Sequence, residues 1–449
     1  MTTKLRRVAI TGMGISTAIG DDLAVNIASW REGRTHFGEV GPATGLAGTA
    51  VKYAGECPEP PASRLPDRKV KKILTRKDVI GLVTALGAAA DGGIKPGSGN
   101  FDPQRFGMYV GAGSTQIKDL TPYFPLVRQC VQDGVFDSLK FGIDMMDLVN
   151  PMVVLQTLMN NTLCFTAIAL DIRGVNSNFM DFNVSGLRAV GEAFRSIQAG
   201  RADLCLAGGV ASPVEPFHVA TGVNSGYLAR SAELPWSAAE VVRPYDRDRC
   251  GTVLSEGAAF LMIEEESHAR ARGAHIWGFV DGYGTGSDGP VEFMQEEAAP
   301  GLASAVRRAC REAGVKTHEL KGQKRYAPDL VIGHGNGVIR SDAVELDAYA
   351  QTLVDGVALA SVKSVTGELG EAAGVASCIA AMDALARESV PPTFNFSGHD
   401  ATHDSTCDTR PESRPSISGD KQECPGARQA LVTQRSFLGI SCGLVISKA

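Results

Sequence analysis

One pattern constrains this chain more than any other: an apolar run of strand length that stops at glycine, present in both halves. Arg7 to Thr11 leads into Gly12-Met13-Gly14, Phe106 to Val110 into Gly111-Ala112-Gly113, Leu204 to Ala207 into Gly208-Gly209, and Leu330 to Ile332 into Gly333-His334-Gly335. Gly12-Met13-Gly14 predicts a turn after the first strand. Gly257 to Ile263, closed by Glu264-Glu265-Glu266, and Leu444 to Ser447 read as further strands. Helical spacing fills the gaps. From Asn183 to Ala199, Leu187, Val190, Phe194 and Ile197 recur every three or four residues, which marks one buried face. Gly301 to Ala313 and the small-residue run Ala372 to Ala386 also read as helices. Strands alternating with helices in both halves specify an α/β protein with buried sheets. Charged residues and glycine at Ser267 to Gly273 divide residues 1–267 from 268–449. The stretch 397–427, rich in Ser, Pro, Asp and Thr, reads as a surface loop inserted before the last strand.

Composition closes off several function classes. With 449 residues the chain is long enough for two lobes. A net charge of -6 with no basic block standing out argues against nucleic acid as the partner. The 10 cysteines are scattered without a CxxC pair, which suits a reducing compartment rather than a disulfide framework. Met1 to Arg7 has no apolar core of a signal peptide, and no run is long enough to span a membrane. A cytoplasmic location, without membrane contact, is the expectation. No metal site is expected either: His399 and His403 lie four apart, but nothing nearby completes a ligand set.

The chemistry-bearing residues come as ordered segments. Asn183-Val184-Ser185-Gly186 opens the central helix, and Ala207-Gly208-Gly209 follows it. Then come Arg243-Pro244-Tyr245-Asp246 with Ser255-Glu256-Gly257-Ala258, His334-Gly335-Asn336 with Asp342 and Glu345, Lys363-Ser364-Val365-Thr366-Gly367 with Ala372-Ala373-Gly374, and Phe437-Leu438-Gly439. In this order they resemble the β-ketoacyl-acyl carrier protein synthases, the condensing enzymes, and the resemblance runs over nearly the whole chain. It implies a thiolase-like fold of two βαβαβαββ halves in five layers, with the site at the centre and an obligate dimer. It also implies no cofactor beyond thioesters carried on acyl carrier protein.

Condensation in such enzymes uses a cysteine at a helix N-terminus, acidified by the helix dipole, to take the acyl chain. Two imidazoles then stabilise the enolate left by decarboxylation. Here Asn183 stands at the cysteine position and Glu368 at that of the second histidine, while His334 is retained. Asparagine forms no thioester, and deleting the nucleophile of another covalent enzyme costs roughly 10⁶ in turnover. The favoured reading of Asn183 is a helix N-cap whose side chain accepts from the first turn. Glu368 is expected to oppose an enolate by about 4 kcal/mol at 4 Å and an effective dielectric of 20, and to pair with His334 across the old site. By the resemblance Phe437 and Gly439 form the gate and oxyanion-hole turn, and Lys363, Asp342 and Glu345 support the site. Gly439-Ile440-Ser441-Cys442-Gly443 matches a hydrolase nucleophile elbow, but only Leu444 to Ala449 follow it, too few to carry the required acid and histidine. Gly12-Met13-Gly14 lacks the third glycine of a dinucleotide fingerprint, since Thr17 stands there.

The expected function is therefore a non-condensing partner subunit, similar to chain-length factors, that pairs with an active ketosynthase and shapes its acyl tunnel. On that reading Gly113 to Phe136 and Asn160 to Arg173 line the subunit contact. The alternative is a stand-alone acyltransferase or decarboxylase with His334 as base and Glu368 as acid; a homodimeric acyl-binding protein is the third reading.

Overall fold

The computed structural model describes residues 5–40, 46, 48–113, 123–289, 298–320, 322–400 and 414–449. Its first half runs β1 (Val8–Thr17), α1 (Arg76–Asp91), β2 (Phe106–Gly111), α2 (Asn161–Leu170), β3 (Asn176–Phe179), α3 (Ser185–Gln198), β4 (Leu204–Ala211) and β5 (Gly257–Glu265). The second half repeats the order: β6 (Gly278–Ser287), α4 (Pro300–Glu312), β7 (Leu330–Ile332), α5 (Ile339–Thr352), β8 (Ala358–Ala360), α6 (Ala373–Arg387), β9 (Gln429–Arg435) and β10 (Ile440–Lys448). The strands of the first half lie in the order β3-β2-β4-β5-β1 and those of the second in the order β8-β7-β9-β10-β6. Both are the same arrangement of third, second, fourth, fifth and first strand. In each, the first three neighbours are parallel and the rest antiparallel. β1 and β6 pair antiparallel through Val8–Val280, which joins the halves into one sheet.

Helices α3 and α6 pack against each other and against strands of both halves, while α1 and α2 cover one outer face and α4 and α5 the other. This is the thiolase-like stack of five layers. The central layer buries Leu187, Val190, Phe194 and Ile197, the face read from the sequence, against Val375, Ile379 and Leu444. Each such side chain contributes roughly 1.5–3 kcal/mol by leaving water.

Three sequence readings need correction. Gly12-Met13-Gly14 is not a turn, because β1 continues to Thr17, and Gly208-Gly209 lie inside β4. The glycines serve close packing: a methyl group on Gly12 would overlap the Ala88 carbonyl of α1. Second, the 397–427 stretch is not loop throughout. Ser416–Ile417 adds a parallel edge strand beside β8, and Gln422–Glu423 pairs with Ser389–Val390. Residues 401–413, with His403, lie outside the described residues. Third, β9 and β3 carry too many polar residues (Gln429, Gln434, Arg435; Asn176, Ser177, Asn178) to show as apolar runs. Among the described residues no helix is long and apolar enough to cross a membrane.

Candidate functional site

The site begins where α3 does. A single 3-10 turn, Phe182–Val184, leads into the helix, and the capping position is Val184, with no side-chain cap. The expected N-cap role of Asn183 is therefore wrong. It lies one residue too early, and its amide turns away from the helix: Nδ2 donates to the Tyr227 hydroxyl at 2.9 Å. Phe182 has φ 56, a left-handed conformation that a bulky side chain adopts only under constraint. Its ring packs against that of Phe437, 4.5 Å away centroid to centroid.

From Asn183 a chain of polar contacts runs into the second half. The Tyr227 hydroxyl donates to Glu368 Oε2 at 3.0 Å, and Lys363 Nζ donates to the same oxygen at 2.9 Å. Lys363 Nζ also lies 3.0 Å from His334 Nδ1, which meets Gln434 Oε1 at 2.9 Å. The expected Glu368–His334 contact is thus not direct; Lys363 stands between them and takes the carboxylate for itself. Burial, reinforced by the Lys363 charge, pushes the His334 imidazole well below its usual range, so it is neutral. Burial and the neighbouring Glu368 carboxylate push the Tyr227 phenol well up. Glu368 is fixed at the backbone as well, its N–H on Val253 O at 2.8 Å and its carbonyl on Ser255 N–H at 3.0 Å.

Asp342 and Glu345, both fully buried on α5, hold the glycine-rich turn that carries His334. Glu345 accepts the N–H groups of His334 at 2.7 Å and Gly335 at 2.8 Å, and the hydroxyl of Tyr349 at 2.6 Å. Asp342 accepts those of Tyr245 at 2.7 Å, Asn336 at 2.9 Å and Gly337 at 3.1 Å. The turn cannot satisfy these donors within a ladder, so carboxylates do it. Burial raises the Asp342 carboxyl to about 6.

A cavity of about 260 Å³ opens over the head of α3, bordered by Asn183, Tyr227, Glu368 and Phe437, with Phe217 and His218 on its wall. Among the described residues no cysteine lines it. The structure thus gathers Asn183, Glu368 and Phe437 around one space. It sets Lys363 and His334 behind Glu368, and Asp342 and Glu345 behind His334. Gly439 does not border the cavity; with φ 75 it makes the β9–β10 turn, donating to Ser436 O at 3.0 Å. Tyr227 and Gln434 were not read from the sequence, nor was the His218–Glu215 pair at 2.6 Å. Only the last shows a local signal, its spacing of three at the start of a helix. Among the described residues no group of His, Cys, Asp and Glu could hold a metal ion.

Residues 5–269 match the family model "Beta-ketoacyl synthase, N-terminal domain" and residues 277–397 the corresponding C-terminal domain. "3-oxoacyl-[acyl-carrier-protein] synthase 2" of Synechocystis sp. is 28% identical over 400 residues, covering 88% of this chain and 89% of that protein. "Putative polyketide beta-ketoacyl synthase 1" of Streptomyces cyaneus is 30% identical over 400 residues, with the same coverage, 88% and 89%. The solved structure of the ishigamide ketosynthase/chain length factor shares the fold at a TM-score of 0.81 and 24% identity, over 99% of this chain and 100% of that one. With both family domains matched in order on a repeated five-layer fold, the chain belongs to the β-ketoacyl synthase family.

Proposed function

We propose that this chain is a non-condensing ketosynthase-like subunit that pairs with an active ketosynthase and bounds the space for its acyl chain in fatty acid or polyketide synthesis. The observation that carries the reading is Asn183 at the head of α3, its amide tied through Tyr227 to the buried Lys363–Glu368 ion pair. Nothing at that position can form a thioester. The carboxylate of Glu368 stands where the family's reaction needs a donor to an enolate.

The outer surface of the first half supports a partner. Val135, Leu139, Ile143, Val154 and Ile168 are each 65–76% exposed, apolar side chains of the kind that a protein contact covers. They lie between β2 and the edge strand β3, whose only partner among the described residues is β2. An unpaired edge beside apolar side chains is a surface that pairing with a second subunit would cover. Of the segments expected at the contact, residues 114–122 lie outside the described residues. The stand-alone reading, with His334 as base and Glu368 as acid, finds less support. His334 does not border the cavity, its Nδ1 is engaged by Lys363 and Gln434, and Glu368 is committed to Lys363.

The test is co-expression with an intact ketosynthase followed by native mass spectrometry and assay with acyl and malonyl carrier proteins. The expected result is a heterodimer that elongates, and an isolated chain that neither retains an acyl group covalently nor releases a ketoacyl product. Elongation by the isolated chain would overturn the reading.

A further inference from the structure

The directions of the hydrogen bonds around Asn183 follow from what each group can give. As the partner of Lys363, Glu368 only accepts, so Tyr227 spends its single proton on Glu368 Oε2. The Tyr227 oxygen must then accept from Asn183, which fixes the amide with Nδ2 inward and leaves Oδ1 as the free atom of a cavity-lining side chain. The other polar group of the network on the cavity wall is Glu368. It is 2% exposed, and its Oε1 has no hydrogen-bond partner. Glu368 Oε1 is itself enclosed, so the acceptor that this end of the cavity offers is Asn183 Oδ1. A buried acceptor left unmade is costly, and a ligand that supplies its proton gains what the empty site lacks. Phe182, Pro213, Phe217, Leu254 and Phe437 supply the apolar part of the remaining wall, and His218, Thr221, Ser225 and Glu371 its polar part.

We propose that this cavity selects an acyl thioester with a hydroxyl close to its carbonyl, a 3-hydroxyacyl group, whose one hydroxyl proton goes to Asn183 Oδ1. The inference rests on the non-condensing reading above and names the ligand class for the same site. Polarity decides among the oxidation states. A 3-oxo group brings a second acceptor against the Asn183 oxygen, and a saturated chain leaves that oxygen unpaired; the hydroxyl gives it its one proton. A site built to hydrogen-bond one group discriminates against analogues that lack it. Size permits it: an apolar cavity of roughly 150 Å³ holds benzene, so about 260 Å³ admits a short acyl group.

The experiment is calorimetric titration of the full chain, in complex with its ketosynthase where the pair forms, with 3-hydroxyoctanoyl-, 3-oxooctanoyl- and octanoyl-pantetheine. The hydroxy compound is expected to bind about tenfold more tightly than either of the others, the worth of one good hydrogen bond. Asn183→Leu should bring the three toward equal affinity. Equal affinities in the unaltered protein, preference for the 3-oxo compound, or no binding of any would each overturn the inference. A failure of the non-condensing reading would look different: covalent acylation of the isolated chain or ketoacyl product on adding malonyl carrier protein, whatever the order of affinities.

Discussion

The two halves of this molecule share a skeleton and divide the work. Strand order, strand direction and even an irregularity are repeated: β1 slips register against β5 between Ile10 and Gly12, and β6 slips against β10 between Val280 and Gly282. Both halves bury charged side chains, among them Lys77, Asp78, Glu256 and Glu264 in the first; what differs is which of these groups reach the site. The second half keeps Asp342, Glu345, Lys363, Glu368 and His334 out of water in one connected group. The first half brings the head of α3 and a long excursion between β2 and β3 that exposes apolar side chains. The site forms because one half supplies a polar wall and the other a helix end. The repeat carries the fold, and the departures from it carry the function.

The sharpest way to break this contrast is to remove one member of the second half's ion pair. Lys363 and Glu368 are each 2% exposed, so Lys363→Met leaves a carboxylate without its cation and is expected to cost about 3–5 kcal/mol in urea unfolding. Removing both charges with Lys363→Met/Glu368→Met should recover much of that loss. A single variant as stable as the unaltered protein would show that the network is not what holds the second half's turn.

Next in size is a pH effect at Asp342. Its carboxyl is raised by burial from 3.8 to about 6, so between those values the folded state holds a proton that the unfolded chain has released. Stability from this group is thus present below about 4 and falls as pH rises through about 6. A shift of that size corresponds to about 3 kcal/mol as an order of magnitude. The check is the difference in unfolding free energy between the unaltered protein and Asp342→Asn from pH 4 to 7. A difference that does not change over that interval would mean the buried acid is not retained in its neutral form.

The halves also explain what could and could not be read beforehand. β7 was legible to the residue, and the apolar face of α3 was correctly placed, because local periodicity reports burial. The glycines of β1 misled because their reason is not local: they admit α1, whose Ala88 lies far along the chain. Asn183 misled in the same way. Its type suits a helix cap, but its partner Tyr227 is 44 residues away, and the partner of Tyr227 is a further 141. The ordered segments placed Asn183, Glu368 and Phe437 at one site. They gave no sign that Lys363 would come between Glu368 and His334, since that depends on how a five-residue span folds back on itself.

If the glycines do serve packing, the repeat should answer a matched perturbation in kind. A methyl group on Gly12 overlaps the Ala88 carbonyl of α1, and one on Gly282 overlaps the Ala309 carbonyl of α4. Gly12→Ala and Gly282→Ala should each destabilise by about 1–3 kcal/mol, the usual cost of overpacking against backbone. Thermal unfolding of the two variants measures the parity. Loss in one and none in the other would mean that the two halves do not share this packing device.

The smallest effect lies in the first half, at an acid that mirrors Asp342 with the opposite sign. Asp203 accepts from Arg105 at 2.6 Å and Arg6 at 2.8 Å, and the Arg105 hydrogen bond, aided by Arg6, holds its carboxyl down to about 2. Here the ionised form belongs to the folded state. The stabilisation is present above about 4 and is lost as pH falls through about 2. With 29% of the side chain exposed, water screens the pair, so Asp203→Asn should cost less than about 1 kcal/mol at neutral pH. Its signature is instead a flatter acid limb. Moderate salt should weaken this contribution while leaving that of Asp342 nearly unchanged, because ions reach the exposed pair and not the buried acid. Equal salt sensitivity at the two sites would erase the distinction between a half-exposed ion pair in the first half and an enclosed acid in the second.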